Sequence, residues 1–278
     1  MTTSPATPRR RAYDRLPFGG WFAGIGSAVI RFLENFGSIS RLSFATGKAL
    51  FTRPFEGREV IRQLYHLGTQ SLGVGLLTAL FTGAVMALQF GHGLARFGAS
   101  NYVGKLISVG FVMELGPVLT ALLVGGRVGA GITAEIGSMR VTEQIDALRA
   151  LGADPVKKLV LPRVLACVIS MPILCVLADV VGILGGMVVA GMEQGIAFSF
   201  YLDQVLTTVD IPEVTHGVVK AGFFGFFYSI IGCWMGLQTS GGTQGVGRFT
   251  TEAVVLTSIT ILVGDFILGK ALLPFVHP

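Results

Sequence analysis

The sequence predicts an all-α integral membrane protein, and three observations carry that prediction. The first is composition: of 278 residues, 51% are hydrophobic and only 13% charged, with a mean hydropathy of +0.69. A soluble domain carries about 25% charged residues and needs them to cover its surface. The second is that the apolar residues gather in five segments, each long enough to supply the roughly 20 residues that cross a hydrocarbon core of about 30 Å. The third is glycine, 39 residues in all, which recurs every fourth position inside those segments and so marks close helix contacts. A typical soluble enzyme, a disordered chain and a secreted disulfide scaffold are thereby excluded. Cys167, Cys175 and Cys233 lie in apolar stretches without metal-ligand spacing and read as inert buried thiols.

Taken in order, residues 1–16 (MTTSPATPRRRAYDRL) are polar, basic and proline-containing, and predict a disordered tail. They do not begin a signal peptide, because the apolar stretch that follows is broken by Arg31 and Glu34 and ends in no small-residue cleavage site. Residues 17–66 predict a helix lying on the cytoplasmic membrane face and an elbow. There Trp21, Phe22, Ile25, Val29, Ile30, Phe32, Leu33 and Phe36 interleave with Arg31, Glu34 and Arg41, too interrupted to span but suited to an interface. Residues 67–278 hold the five predicted spans, at 67–90, 106–131, 164–192, 218–238 and 253–273. Small residues four apart run along four of them: Gly75, Ala79, Gly83 and Ala87, then Ala121, Gly125 and Gly129, then Gly182, Gly186 and Ala190, then Gly232 and Gly236. Each set forms a groove that lets another backbone approach.

Orientation follows from the basic residues in the short loops. Ten of the 21 precede residue 63, and the loop 134–163 carries Arg140, Arg149, Lys157, Lys158 and Arg163. On the other side, 91–105 has Arg96 and Lys105, while 193–217 has no Lys or Arg but carries Glu193, Asp203, Asp210 and Glu213. The N-terminus is therefore expected in the cytoplasm and the C-terminus in the periplasm.

The cytoplasmic loop is the most informative stretch. Val141, Ile145, Leu148 and Leu151 fall at helical spacing on one side, Arg140, Glu143, Gln144 and Arg149 occupy the rest, and Gly152 with Pro155 ends the helix. Such an amphipathic helix, over about 134–152, can rest on the membrane or insert into the groove of a cytoplasmic partner.

Three runs of residues go further: Glu114-Leu-Gly-Pro-Val-Leu-Thr-Ala-Leu, Gly126-Arg-Val-Gly-Ala-Gly, and Ala134-Glu-Ile-Gly-Ser-Met-Arg-Val-Thr-Glu-Gln-Ile-Asp-Ala-Leu. Together with Asp154-Pro155 and Gly264-Asp-Phe they resemble the MlaE/YrbE permeases of MCE-associated ABC transporters. The likeness extends from about residue 21 to 273. The resemblance implies a homodimer in the inner membrane, two cytoplasmic ABC ATPases that hold the ATP and magnesium, an MCE-domain protein on the outer side, and phospholipid as cargo. It makes the loop helix a coupling helix, with Glu135, Arg140, Val141, Glu143, Gln144, Ile145, Asp146 and Leu148 as contact or positioning residues. It also places Met86, Leu94, Phe97 and Leu115 in the wall of a lipid groove. One departure is Met113, where members of the family often carry Arg.

The chain has no means of hydrolysing ATP itself. Residues 242–249 hold glycines five apart but place Arg248 and Phe249 where a phosphate loop needs Lys and Ser or Thr, and so predict a flexible turn. No cofactor is expected in this chain, the four histidines show no metal spacing and read as interfacial or solvated, and no aromatic-basic pattern for nucleic acid is present.

Charges inside the spans cost about 2.5 to 3.5 kcal/mol each at a helix centre and call for partners. Glu114 and Lys220 both fall in outer halves and can pair, either as a structural salt bridge or as a polar patch on a lipid path. Asp179 and Asp265 sit near the middles of their spans, where they can bond neighbouring helices or relay protons. Three functions therefore stand: the ATP-driven permease of a lipid transporter, with sterol or fatty acid as alternative cargo; a proton-coupled secondary transporter; and a structural membrane subunit.

Overall fold

The computed structural model describes residues 19–52 and 57–276; the tail assigned to residues 1–16 lies outside them. The chain divides into two compact units, residues 1–44 and 45–278. α1 (Gly19–Leu50) lies mostly in the first, where it carries exposed Val29, Ile30, Leu33 and Phe36 at helical spacing, among exposed Arg31, Glu34 and Asn35. This is the pattern of a helix that lies in an interface.

The regular structure of the second unit is all helical among its described residues. α2 (Gly57–Ala95) is one helix, so the elbow predicted to end at residue 66 falls inside it. No proline interrupts 57–95, and Glu59 in the first turn faces the positive end of the helix dipole. A 3₁₀ turn (Ser100–Tyr102), α3 (Val103–Gly110), a π-helical segment (Phe111–Leu115) and α4 (Gly116–Val141) follow as one rod. Then come α5 (Gln144–Ala150), a second π segment (Val156–Val160), α6 (Leu161–Gln194), α7 (Phe198–Thr208), α8 (Ile211–Gln238) and α9 (Gly242–Val276). Five stretches are long and apolar enough to cross a membrane: Ser71–Ala95, Ser100–Val141, Val156–Gln194, Ile211–Gln238 and Gly242–Pro274. The chain is a multi-pass membrane protein.

Two expectations about loops are corrected. The acidic stretch 193–217 contains α7, which turns Tyr201 and Gln204 inward and leaves Leu202 and Leu206 exposed. Residues 242–249 are the first turns of α9, not a flexible turn. The chain reverses just before them, at Gly241 and Gly242 with φ of 87° and 69°, a left-handed conformation that glycine adopts without steric cost. Once the helix has begun, Arg248 Nε pairs with Glu252 Oε1 one turn on, at 2.9 Å.

α2 packs on α6, α6 on α8, and α4 on both α8 and α9. The small-residue grooves make these crossings close. A Cβ on Gly83 of α2 would stand 1.8 Å from the Gly182 carbonyl oxygen of α6, and one on Gly232 of α8 would stand 2.9 Å from the Gly129 oxygen of α4. Beside that second crossing the Thr133 hydroxyl donates to Gly129 O at 2.8 Å and to Gly232 O at 3.1 Å, so a polar side chain joins the two helices where lipid offers no bond. Gly73, on the exposed side of α2, meets nothing within 4 Å. Gly83→Leu is therefore expected to cost about 1 to 3 kcal/mol by forcing α2 from α6, and to lower the midpoint of thermal unfolding in detergent by several degrees. Gly73→Leu serves as the control, and equal midpoints for the two variants would contradict the crossing.

Candidate functional site

Two π segments mark where polar groups gather in an otherwise apolar unit, and the sequence explains both. Each runs straight into an X-Pro pair, Gly116-Pro117 and Leu161-Pro162. Proline has no N–H, and its ring crowds the carbonyl four residues back. The helix widens by one residue there: the Gly116 N–H reaches Phe111 O, and the Leu161 N–H reaches Val156 O. Carbonyls turned aside in this way need donors from elsewhere, because hydrocarbon supplies none. A buried cation stands at each.

At the first segment the cation is Lys220 of α8, 0% exposed. Its Nζ donates to Met113 O at 3.3 Å, the carbonyl that Pro117 cannot serve, and to Glu114 Oε2 at 2.6 Å. It also lies 2.6 Å from Asp265 Oδ1 of α9. The pairing of Glu114 with Lys220 thus takes in a third helix, and the network has three members without an arginine at position 113. One cation facing two carboxylates leaves a negative charge in excess, and Glu114 is the member whose side chain is 50% exposed.

Asp179 of α6 is separate. It is buried with Oδ1 pressed against Gly116, where a Cβ would stand 1.7 Å from it, and Oδ2 accepts from Cys175 Sγ at 3.7 Å. The two acids considered for a proton relay therefore have different partners. His216, one turn before Lys220 on α8, is buried, where the sequence reading has it interfacial or solvated. Its spacing of four from Lys220 was the available signal.

The loop expected on the cytoplasmic side departs from the single helix expected over 134–152. α4 runs to Val141, then Glu143 takes a left-handed turn (φ 60°) and α5 begins at Gln144. Thr142 closes the first helix by returning its hydroxyl to Ser138 O at 2.9 Å. The reversal buries Ile145 completely, so Ile145 anchors α5 within the chain, with Val141 and Leu148 half-buried beside it. Arg140 Nη1 donates to both oxygens of Asp146 at 2.8 Å, which staples α4 to α5, and Arg149 Nη1 adds a bond to the same carboxylate at 3.0 Å. Gln144 Nε2 donates to Thr142 Oγ1 at 2.9 Å. Outward stand Glu143, Gln144, Asp146, Arg149 and Leu151, the last 84% exposed.

Glu135 lies two turns up α4 from this surface, and its Oε1 accepts from Arg163 Nη2 at 2.6 Å. Arg163 is the cation of the second π segment: its side chain is 5% exposed, and Nη1 donates to Leu159 O at 2.7 Å. Glu59, at the start of α2, lies in the field of the same guanidinium. Burial raises the Glu59 carboxyl, but hydrogen bonds from Gln63 and Arg62 and the charges of Arg62 and Arg163 outweigh it and hold the group below the usual carboxylate range. Sequence reasoning counted Arg163 only as a loop charge; its place directly after Pro162, where the apolar run begins, was the signal.

The four residues placed in a lipid groove are not gathered into one wall within a single chain. Met86 and Leu94 pack against the same buried cluster, which includes Ala87, Ile107, Phe111 and Tyr201. Met86 also lines a shallow apolar depression of about 420 Å³ on α2 with Leu77, Phe81 and Val85. Phe97 is 85% exposed beyond the end of α2, and Leu115 is half-buried in the first π segment.

Against known proteins, residues 60–271 match the family described as Permease MlaE. The chain belongs to the MlaE permease family. It is 43% identical over 246 residues to a probable ABC transporter permease protein of Rickettsia felis, covering 88% of this chain and 95% of that one. A probable ABC transporter permease protein of Synechocystis is 39% identical over 230 residues, 81% of this chain and 87% of the other. The Arabidopsis thaliana protein TRIGALACTOSYLDIACYLGLYCEROL 1, chloroplastic, is 36% identical over 213 residues, 77% of this chain and 61% of that one. The MlaE match takes in α3 to α8 entirely, and with them both π segments and both buried cations. Membership makes the chain a transport subunit of the membrane, not a catalytic one.

The network of this MlaE permease makes a stability prediction. Lys220→Met leaves Glu114 and Asp265 facing each other without their cation and is expected to cost about 3 kcal/mol, read as a fall in the unfolding midpoint in detergent. Adding Glu114→Gln and Asp265→Asn is expected to recover most of the loss. If the triple variant is no more stable than Lys220→Met alone, the charges are not coupled.

Proposed function

We propose that this chain is the permease subunit of an ABC-type lipid transporter, embedded in a bacterial-type inner membrane with its N-terminus in the cytoplasm. In this reading a separate ABC ATPase, carrying ATP and magnesium, docks on the loop of α5. Two copies of the permease face one another, an MCE-domain protein stands on the outer side, and phospholipid is the cargo. The observation that carries the reading is the stapled, outward-facing loop. Arg140, Glu143, Gln144, Asp146, Arg149 and Leu151 form a charged surface with one apolar knob at its edge, held on the ends of two spans. Family membership supports it, because relatives carry the name of ABC transporter permeases. The Arabidopsis relative is named for a glycolipid, which favours lipid as the cargo class.

The rest of the unit fits a lipid path between copies. α2 and α9 leave long apolar faces open, Leu77, Phe81 and Val85 on one and Leu262, Phe266 and Ile267 on the other. A second copy or an acyl chain would cover these faces at no polar cost. Nucleotide binding draws the ATPases together, α5 passes the movement to α4 and α6, and the space between copies narrows or opens. Such coupling requires that the ATPase contact differ between the two states.

Paired with Arg149→Glu, Leu151→Asp is expected to reduce co-purification of the ATPase by about tenfold or more, as loss of a central anchor does. Undiminished retention would remove α5 as the docking element. Mass spectrometry of the purified complex is expected to find phospholipid enriched over the bulk membrane. Enriched sterol or fatty acid would redirect the cargo, and proton-driven flux by the bare chain would replace the ATPase reading with a secondary transporter.

A further inference from the structure

We infer that Arg163, through its bond to Glu135, is the positioning residue that makes α4 and α6 move together when the cytoplasmic loop is pushed. This rests on the reading of α5 as the docking element. α5 hangs between two stems of different stiffness. On one side α4 runs into it across a single left-handed residue, Glu143, stapled by Arg140 and Asp146. On the other side Gly152, at φ 77°, and Pro155 lead into the second π segment before α6 begins. A thrust on α5 would pass to α4 through the staple, but would be absorbed on the α6 side by a glycine turn and a widened helix.

Arg163 closes that gap. Its fork spans the two stems above the loop, with Nη2 on Glu135 Oε1 of α4 at 2.6 Å and Nη1 on Leu159 O of the π segment at 2.7 Å. The guanidinium is planar and its two donors are held apart in a fixed fork, so the bonds to α4 and to the π segment keep one relative direction, whereas an ammonium would make both from a single freely rotating nitrogen. The Arg163 side chain is buried, which fixes its direction, while the Glu135 carboxylate is half-exposed, so the pair acts through geometry more than through unscreened charge. Arg163 is buried, away from the exposed surface of α5. Its role is to carry force between helices, not to contact the motor.

The test uses the complete complex, purified with its ATPase and reconstituted in vesicles of phosphatidylethanolamine and phosphatidylglycerol carrying a fluorescent phosphatidylethanolamine. ATP hydrolysed and fluorescent lipid moved are measured together. Arg163→Met fills the buried space without a charge. It is expected to leave the ATPase bound and hydrolysing, while lipid moved per ATP falls about fivefold or more, the lower range of a coupling between sites. Glu135→Gln, at a half-exposed position where folding is secure, is expected to lower the same ratio, and Arg163→Lys to restore only part of it. A wild-type ratio in the assembled Arg163→Met or Glu135→Gln complex overturns the inference, as does failure of Glu135→Gln to assemble, since the pair would then only hold the fold. Should Arg163→Met alone fail to assemble, the Glu135→Gln ratio decides. The wild-type complex separates this from the underlying reading: if it carries no ATPase, or moves no lipid with ATP, the docking reading fails before the joint is examined.

Discussion

A backbone carbonyl in hydrocarbon that loses its own donor must find another, and this requirement orders the polar architecture of the protein. Two prolines, each at the second residue of a helix inside the bilayer-spanning rods, withdraw an N–H and widen the preceding turn. A buried cation then stands at each bulge, Lys220 reaching in from α8 and Arg163 folding back along its own helix, and each holds carboxylates of other helices. Lys220 joins α8 to Glu114 in the first bulge and to Asp265 of α9, and Arg163 joins the second bulge to Glu135 of α4. A lone lysine or arginine there would be expensive. Completed by acid and carbonyl, it becomes the fixed point around which helices are arranged.

The two fixed points lie toward opposite ends of the span bundle. The one of Lys220 is open on one side, through the half-exposed Glu114. The one of Arg163 sits close to the loop of α5. Between them the helices touch through glycine and alanine, with carbonyl oxygens against bare Cα atoms at Gly83 and Gly232. Close backbone contact of that kind resists separation, and single side-chain bonds add direction to it, from Thr133 between α4 and α8 and from Gln194 of α6 to Ala87 O of α2. Register comes from these bonds and from the charged ends, and closeness from the small residues.

Much of this was legible in the sequence. Composition and segment length gave five spans, since crossing a bilayer leaves few compositional choices. The spacing of small residues foretold which faces would approach. The charge of Glu114 and Lys220 inside apolar runs demanded a pair. What the sequence did not reveal depends on three-dimensional neighbours. That Asp265 would join Lys220 and Asp179 would not is decided by which faces of α6 and α9 turn toward α8. The break at Glu143 escaped periodicity because Val141, Ile145 and Leu148 keep helical spacing through it; burial of Ile145 overrode local preference. Arg163 looked like one loop charge among several until its depth was seen. The groove residues Met86, Leu94, Phe97 and Leu115 belong to surfaces that one chain alone does not close.

The order of the three charges along the chain bears on how the protein is made. Glu114 emerges from the ribosome long before Lys220, and Asp265 follows after. When α8 is handed to the bilayer its lysine can already meet the earlier carboxylate, so the helix need not enter with a naked ammonium. The aspartate arrives with the final helix and closes the set. A nascent chain stopped before α9 would therefore hold a neutral pair awaiting its third member, which α9 supplies as it docks.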